Sequence, residues 1–308
     1  MRFHWTRRLI GRQGTRVPSR LAACLAAMPF AAVFLAAHPA AAGPAPRGEF
    51  GRLGEMPARG YSVHLPKVRG PAGRPLIVLD AGHGGQDTGA LGADGRHYEK
   101  DAALAIAKSA RDELLATGRF RVALTRDDDR FLILGERREI ARRLGADLFM
   151  SIHADSAPDA NARGATIYTL SEVSSDKVAS RLAAKENKAD VINGLDLSSQ
   201  SSEVSSILID LAQRETMNVS SSFANLLQRE LSPLIGFRTT FHRFAGFVVL
   251  KAPDVPSLLF ETGYMSNPDD LRLLFSDGYR RQIAVGVRRA VEVHFARRLN
   301  LQTIASAN

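Results

Sequence analysis

The run Pro75–Asp80 is apolar almost throughout and stops at a Gly-rich turn, the pattern of a strand buried on both faces with its tip at a site. From 99 to 117 the pattern changes: Ala103, Ile106, Ala107, Ala110 and Leu114 recur three or four apart, which predicts a helix with one buried face and puts Glu99 in its first turn. Arg121–Thr125 reads as a strand, Ile133–Leu144 as a helix, and Asp147–Ile152 as a strand that delivers His153. Thr166–Leu170 alternates weakly and extends the sheet. Residues 171–202 break the rhythm, with a helix over Ser174–Lys188 built on Val178, Leu182 and Ala183, then a Ser-rich stretch, Gly194–Ser202. A long helix follows from Glu203 to Leu231, Phe247–Leu250 and Ser257–Phe260 read as strands, and Tyr279–Arg298 as a closing helix. No internal repeat is visible. Strand and helix alternate, so the chain is read as α/β, one domain over 74–300 with a mixed, mostly parallel twisted sheet of about six strands flanked by helices. The irregular segment 171–202 is an insertion in it, and 301–308 is a tail.

With 308 residues and 45% hydrophobic content, the chain is able to bury a substantial core. Its net charge of +9 invites a nucleic-acid partner. Arg2, Arg7, Arg8, Arg12, Arg16 and Arg20, however, all precede an uncharged, Ala-rich stretch, Leu21–Ala42, and without residues 1–42 only about +3 remains. A nucleic-acid role fails on that balance. The Ala40-Ala41-Ala42 ending fits a signal peptide over 1–42 cleaved after Ala42. Pro29, Pro39 and the weak apolarity of alanine argue against an uncleaved span, so no stable membrane anchor is expected. Thr6-Arg7-Arg8-Leu9-Ile10 loosely matches a twin-arginine signal, which leaves that route and ordinary secretion both open. Cys24 is preceded by Arg20 rather than by an apolar run, so a lipid anchor is disfavoured, and the exported chain has no cysteine. Any metal must then be held by histidines and carboxylates. Residues 43–73, rich in Pro and Gly, read as a linker.

Two histidines each close an apolar run, His83 after Leu79-Asp80-Ala81-Gly82 and His153 after Met150-Ser151-Ile152, with Glu99 between them. Two imidazoles and a carboxylate are a ligand set for a catalytic zinc that leaves one position open for water. The competing reading is a pair of strand-end histidines that bond only backbone. Glu261 ends the apolar run Leu258-Leu259-Phe260, where a general acid/base is one reading and a salt-bridged or capping glutamate the other. Asp80 and Asp155 are candidates to orient the imidazoles, against a bland role as turn formers. His97 is read as a loop histidine, and His64, His242 and His294 as surface residues. The glycines around His83 allow close backbone approach, and a phosphate loop is disfavoured because no Gly-Lys-Ser/Thr follows them.

Asp80-Ala81-Gly82-His83-Gly84-Gly85, Glu99-Lys100, Ser151-Ile152-His153-Ala154-Asp155, and Phe247–Pro253 running on through Glu261 to Ser266-Asn267 together resemble the zinc-dependent N-acetylmuramoyl-L-alanine amidases. The resemblance spans residues 74–298 and is strongest to the cell-division amidases of the Gram-negative envelope. It implies Zn2+ on His83, Glu99 and His153, a catalytic Glu261, and hydrolysis of the amide between N-acetylmuramic acid and L-alanine in periplasmic peptidoglycan. It also implies a role for the insertion: an inserted helix covers the site until an activator with a LytM-type domain removes it, with Glu186 as the blocking glutamate. Two departures stand out. Arg142 lies where Asn is frequent, and only the short linker stands where many relatives carry a peptidoglycan-targeting domain. A zinc peptidase or deacetylase acting on another wall bond, and a non-catalytic peptidoglycan-binding protein, are the alternatives.

Overall fold

Every residue of β1 (Leu76–Ala81), β3 (Leu148–His153), β4 (Ala165–Leu170) and β6 (Ser257–Glu261) is buried, which is why these strands read as apolar runs rather than alternating ones. The computed structural model describes residues 63–189 and 207–306. The expected signal peptide, most of the linker, the Ser-rich stretch 194–202 and the start of the helix expected at Glu203 lie outside the described residues. With β2 (Arg121–Leu124) and β5 (Phe237–Ala245), the strands form a six-stranded sheet in the order β2-β1-β3-β6-β4-β5. Neighbours are parallel except β4 and β6, which run antiparallel.

Helices cover both faces. On one, α1 (Glu99–Ala116), α4 (Ile207–Leu231) and α6 (Asp277–Ser306) pack on Ile77, Leu79, Leu148, Met150, Leu258 and Phe260. On the other, α2 (Leu134–Arg143) and α3 (Lys177–Glu186) pack on Leu76, Val78, Phe149, Tyr168 and Leu259. Removing a fully buried Ile106 or Leu114 from water is worth about 1.5–3 kcal/mol each, so the apolar stripe read from α1 is what fastens it to the sheet.

Three elements differ from expectation. Phe247–Leu250 is not a strand: Val248–Leu250 is a single 3-10 turn, and Arg138 donates to its Val248 carbonyl from α2. Its apolar residues plug the second core instead of joining the sheet. The sixth strand is β5, an edge strand whose Thr239 and Thr240 face solvent and so blur the apolar pattern. A short helix α5 (Pro268–Leu274) was not anticipated, although Asn267 caps it through the amides of Asp269 and Asp270 and Pro268 opens its first turn. The last part of the expected linker is also bound to the domain: Arg69 and Val122 exchange backbone hydrogen bonds of 2.9 Å, and Val63 is buried in the second core.

The C-terminal end of β1 is braced by two buried guanidiniums. Arg137 donates to the carbonyls of Ala81 and His83 at 2.7 Å each, and Arg126 to those of Ala81 at 2.9 Å and Gly82 at 2.7 Å. Asp80 does not orient an imidazole as expected. Its carboxylate pairs with Arg137 at 2.9 Å and accepts from the Thr125 and Ser151 hydroxyls at 2.6 Å each. Burial opposes its ionisation, but Arg137 and the two hydroxyls hold its pKa below the usual carboxylate range. Arg137→Met should therefore strand a buried charge and lower stability by about 3–5 kcal/mol in urea unfolding, and Asp80→Asn in the same chain should restore part of the loss. Equal losses in the single and double variants would break this account.

His294 is not a surface residue. It sits in α6 against Phe223 and Phe295, with ring centroids 5.2 and 4.9 Å away, and its Nε2 is buried without a hydrogen-bond partner. Burial, reinforced by Arg298 and Arg297 and opposed by Asp147, pushes its pKa down to about 4. Unfolded, it titrates near 6.5, so below that pH the unfolded chain takes up the proton first and stability falls until the pH nears 4. Thermal unfolding should show His294→Phe losing about 2–3 kcal/mol less than the parent between pH 7 and pH 4. Parallel pH profiles for the two chains would contradict it.

Candidate metal centre

Because β1, β3 and β6 are adjacent and parallel, their C-terminal ends open on the same sheet edge. Residue His83 follows β1, while His153 ends β3 in register with Glu261 at the end of β6. Glu99 reaches the same point from the first turn of α1. The chain must bend sharply to present His83, which at φ 60° is the one non-glycine residue with positive φ among the described residues. Gly82 is required beside it: a Cβ there would sit 2.4 Å from the His153 ring.

The two rings meet edge to face, with centroids 4.9 Å apart. Glu99 Oε1 lies 3.1 Å from both His83 Nε2 and His153 Nδ1. Its two oxygens also accept from the backbone amides of Ala90 at 2.8 Å and Ala154 at 3.0 Å, so the carboxylate has little freedom to turn. The residue that orients His83 is Asp87, whose carboxylate bonds Nδ1 at 2.9 Å and leaves Nε2 facing the centre. Sequence reading missed it. The signal was a carboxylate four residues beyond the histidine in the same Gly-rich loop.

Asp155 also does not bond an imidazole. Its amide donates to Glu261 Oε2 at 2.8 Å and its carboxylate pairs with Lys185. The other oxygen of Glu261, Oε1, is buried with no partner.

Glu186 is brought to the same point by α3. Asp176 caps that helix by accepting from Val178 and Ala179 and pairs with Arg243, while Ala179, Leu182 and Ala183 are buried beneath it. Asn187, just past its end, donates to the Gly246 carbonyl at 2.9 Å and accepts from Val248 N at 2.8 Å. Held at both ends, the helix sets Glu186 Oε2 3.5 Å from His83 Nε2 and 3.4 Å from His153 Nδ1. His83, His153 and Glu186 have ligand atoms within 4.8 Å of one another, close enough to share one metal ion.

The electrostatics ask for a cation. Burial opposes the charge on Glu99, but the two imidazoles outweigh it and hold its carboxyl well below the usual range. Burial also disfavours a charged His83, yet the Glu99 and Glu186 carboxylates raise its pKa well above 6.5. Glu261 is pushed well up by burial and then by Glu99, Asp155 and Glu186, and Asp155 up to about 6 by burial and Glu99. Several carboxylates crowded against two imidazoles out of water are stable only when positive charge joins them; Lys185, paired with Asp155 and 3.9 Å from Glu186, supplies part of it, and a metal ion would supply more. His83 Nε2 and Glu186 Oε1, both buried, make ion-pair contacts but no well-formed hydrogen bond, which fits the same demand.

The other histidines stand apart. His97 is a loop residue paired with Asp94 at 2.5 Å, His64 is exposed, and His242 is half-buried on β5 with Thr169 Oγ1 2.9 Å from its Nε2.

Residues 77–293 match the family described as N-acetylmuramoyl-L-alanine amidase. Over 231 residues the chain is 39% identical to N-acetylmuramoyl-L-alanine amidase AmiA of Escherichia coli K12, covering 75% of this chain and 79% of that protein. It is 38% identical to AmiC of Neisseria meningitidis over 73% of this chain and 55% of that protein. Among solved structures, the catalytic domain of the amidase CwlV from Bacillus (Paenibacillus) polymyxa superposes with a TM-score of 0.53 at 27% identity, over 72% of this chain and 98% of that one. AmiC2 of Nostoc punctiforme gives 0.50 at 27% identity, over 73% and 99%. The buried cluster at the sheet edge therefore lies within the matched region, and the chain belongs to the N-acetylmuramoyl-L-alanine amidase family.

Proposed function

We propose that this chain is an exported peptidoglycan hydrolase that cleaves the amide between the lactyl group of N-acetylmuramic acid and L-alanine, with one Zn2+ held by His83, Glu99 and His153. The observation that carries the reading is that Glu99 Oε1 lies 3.1 Å from both imidazole nitrogens, three elements meeting at one point. Two imidazoles and a carboxylate suit zinc better than the harder cations, which favour oxygen alone. Zinc bound there supplies a Lewis acid that polarises the amide carbonyl and eases loss of a proton from water.

Glu261 is the proton carrier in this reading. The Asp155 amide pins one of its oxygens and leaves Oε1 to receive the proton as the water oxygen adds to the lactyl carbonyl. Burial and the neighbouring carboxylates raise its proton affinity, the direction a proton carrier needs. As the C–N bond breaks, the same proton passes to the alanine nitrogen, leaving a lactyl carboxylate and a free amine. Asp87 keeps His83 in the orientation a ligand needs.

Two assays on purified peptidoglycan and purified protein, in a Glu186→Ala background that needs no activator, check this. Mass spectrometry should find muramic acid with a free lactyl carboxylate and stem peptides with an intact L-alanine amine. Glu261→Gln should lower the rate at least about 100-fold while retaining zinc, and His83→Ala should lose zinc and rate together. Another cleaved bond would favour a wall peptidase or deacetylase, binding without hydrolysis even after activator addition a non-catalytic wall protein, and full zinc in His83→Ala would remove it as a ligand.

The α3 helix brings Glu186 Oε2 within 3.5 Å of both imidazoles, and we infer that the enzyme is latent, with Glu186 in the position that water and substrate need. Release would fall to an activator carrying a LytM-type domain, and the setting would be septal wall splitting in the periplasm. Among the described residues no helix is long and apolar enough to cross a membrane. Glu186→Ala should digest peptidoglycan without an activator at least about tenfold faster than the parent, since removing the plug shifts the closed-open balance. A rate no higher than the parent's would count against latency.

A further inference from the structure

At the β2 edge of the sheet, the edge opposite β5, a cavity of about 200 Å³ is lined by His64, Lys67, Arg69, Arg111, Asp127 and Arg130, with apolar walls from Val122 and Leu124. Four permanent cations face one carboxylate there. Arg111 is offset by Asp112 at 2.7 Å, but Lys67 and Arg69 have no acidic partner among the described residues. Arg130 Nε is buried without a hydrogen bond, 3.5 Å from Asp128. Lys67 and Arg69 are exposed, so they are open to a ligand, and guanidinium forks match an oxyanion with paired hydrogen bonds.

The pocket is tied to the metal centre through one loop. Asp127 and Arg130 follow β2, and the same loop buttresses the turn that carries His83: Asp129 accepts from Gly85 N at 2.8 Å and pairs with Lys100. A Cβ on Gly84 would lie 2.1 Å from the Arg130 carbonyl oxygen, so the two segments are packed without spare room. Pocket and metal centre thus lie near the C-terminal ends of neighbouring strands, β2 and β1.

We propose that this pocket is an oxyanion subsite that takes a carboxylate of a peptidoglycan stem peptide, holding the polymer while a neighbouring amide lies at the metal centre. The proposal rests on the amidase reading for its ligand and on the pocket for its chemistry. Peptide stems whose C-terminus is not consumed in a cross-link end in a carboxylate, whereas the glycan backbone between stems offers chiefly hydroxyls and amides. Lys67 and Arg69 supply the free charge, and Arg130 positions the far wall.

Co-sedimentation of the full chain with purified peptidoglycan tests it. Lys67→Gln/Arg69→Gln should pellet about tenfold less tightly than the parent, and the difference should shrink as salt rises. On chitin, an N-acetylglucosamine polymer with neither stem peptides nor lactyl carboxylates, parent and variant should pellet alike. Equal binding to intact peptidoglycan would overturn the proposal, as would a loss seen only on phosphatidylglycerol vesicles or one competed away by inorganic phosphate but not by stem peptide. Binding is read without turnover, so a Glu186→Ala chain that binds by this route but releases no stem peptide would end the amidase reading and leave the subsite standing.

Discussion

Glu99 is the constraint on which the rest of the centre depends. It is a fully buried carboxylate in the first turn of a helix, and such a group persists only where hydrogen bonds and positive charge repay its removal from water. Two backbone amides meet the first need and two imidazoles the second. The fold satisfies both with few devices. Adjacent parallel strands place His83 and His153 side by side, and the third strand puts Glu261 level with His153. A chain that crossed over with any of these strands reversed would scatter those side chains to opposite ends of the sheet.

Beneath that edge, the carbonyls of Ala81, Gly82 and His83 leave the sheet ladder as the chain turns, and Arg126 and Arg137 take them up. Burial, with Arg137 close by, lowers the Arg126 pKa to about 10, still far above neutrality, so both guanidiniums remain donors. A strained His83 backbone is thus clamped by charged donors rather than by packing alone. The arrangement is costly to assemble, and such strain is held only where its surroundings over-determine it.

The sequence made much of this readable, for physical reasons. The strands β1, β3 and β6 are buried on both faces, so their sequences are continuous apolar runs, and the chemistry-bearing residues stand where those runs stop. The helix α1 shows one apolar face because the opposite one meets solvent. What was not legible follows from mixed environments. Along β5, Thr239 and Thr240 face water while Arg243 is drawn under the α3 cap, so no period-two pattern survives. Phe247–Leu250 is as apolar as a strand but is buried as a turn, and apolarity alone cannot separate the two. Asp80 and Asp155 lie next to the right residues in sequence, yet partners at a distance, Arg137 and Lys185, claim their carboxylates. His294 looked like a surface residue because the aromatic rings that bury it are remote in the chain or one position on.

Two glutamates approach the same pair of imidazoles, and they are held in different ways. Glu99 is fastened by backbone amides on both oxygens, so moving it means unfolding the start of α1. Glu186 stands farther off, at 3.4 and 3.5 Å, one of its oxygens has no partner, and its helix is a ten-residue segment that would not be stable in isolation. What keeps α3 in place is a small apolar underside of Ala179, Leu182 and Ala183, a cap pair at one end, and the Asn187 bridge with the Lys185–Asp155 pair at the other. Each such polar contact is worth about 1 kcal/mol net. Displacing Glu186 therefore means breaking those contacts and uncovering that small underside, whereas freeing Glu99 means dismantling the first turn of α1.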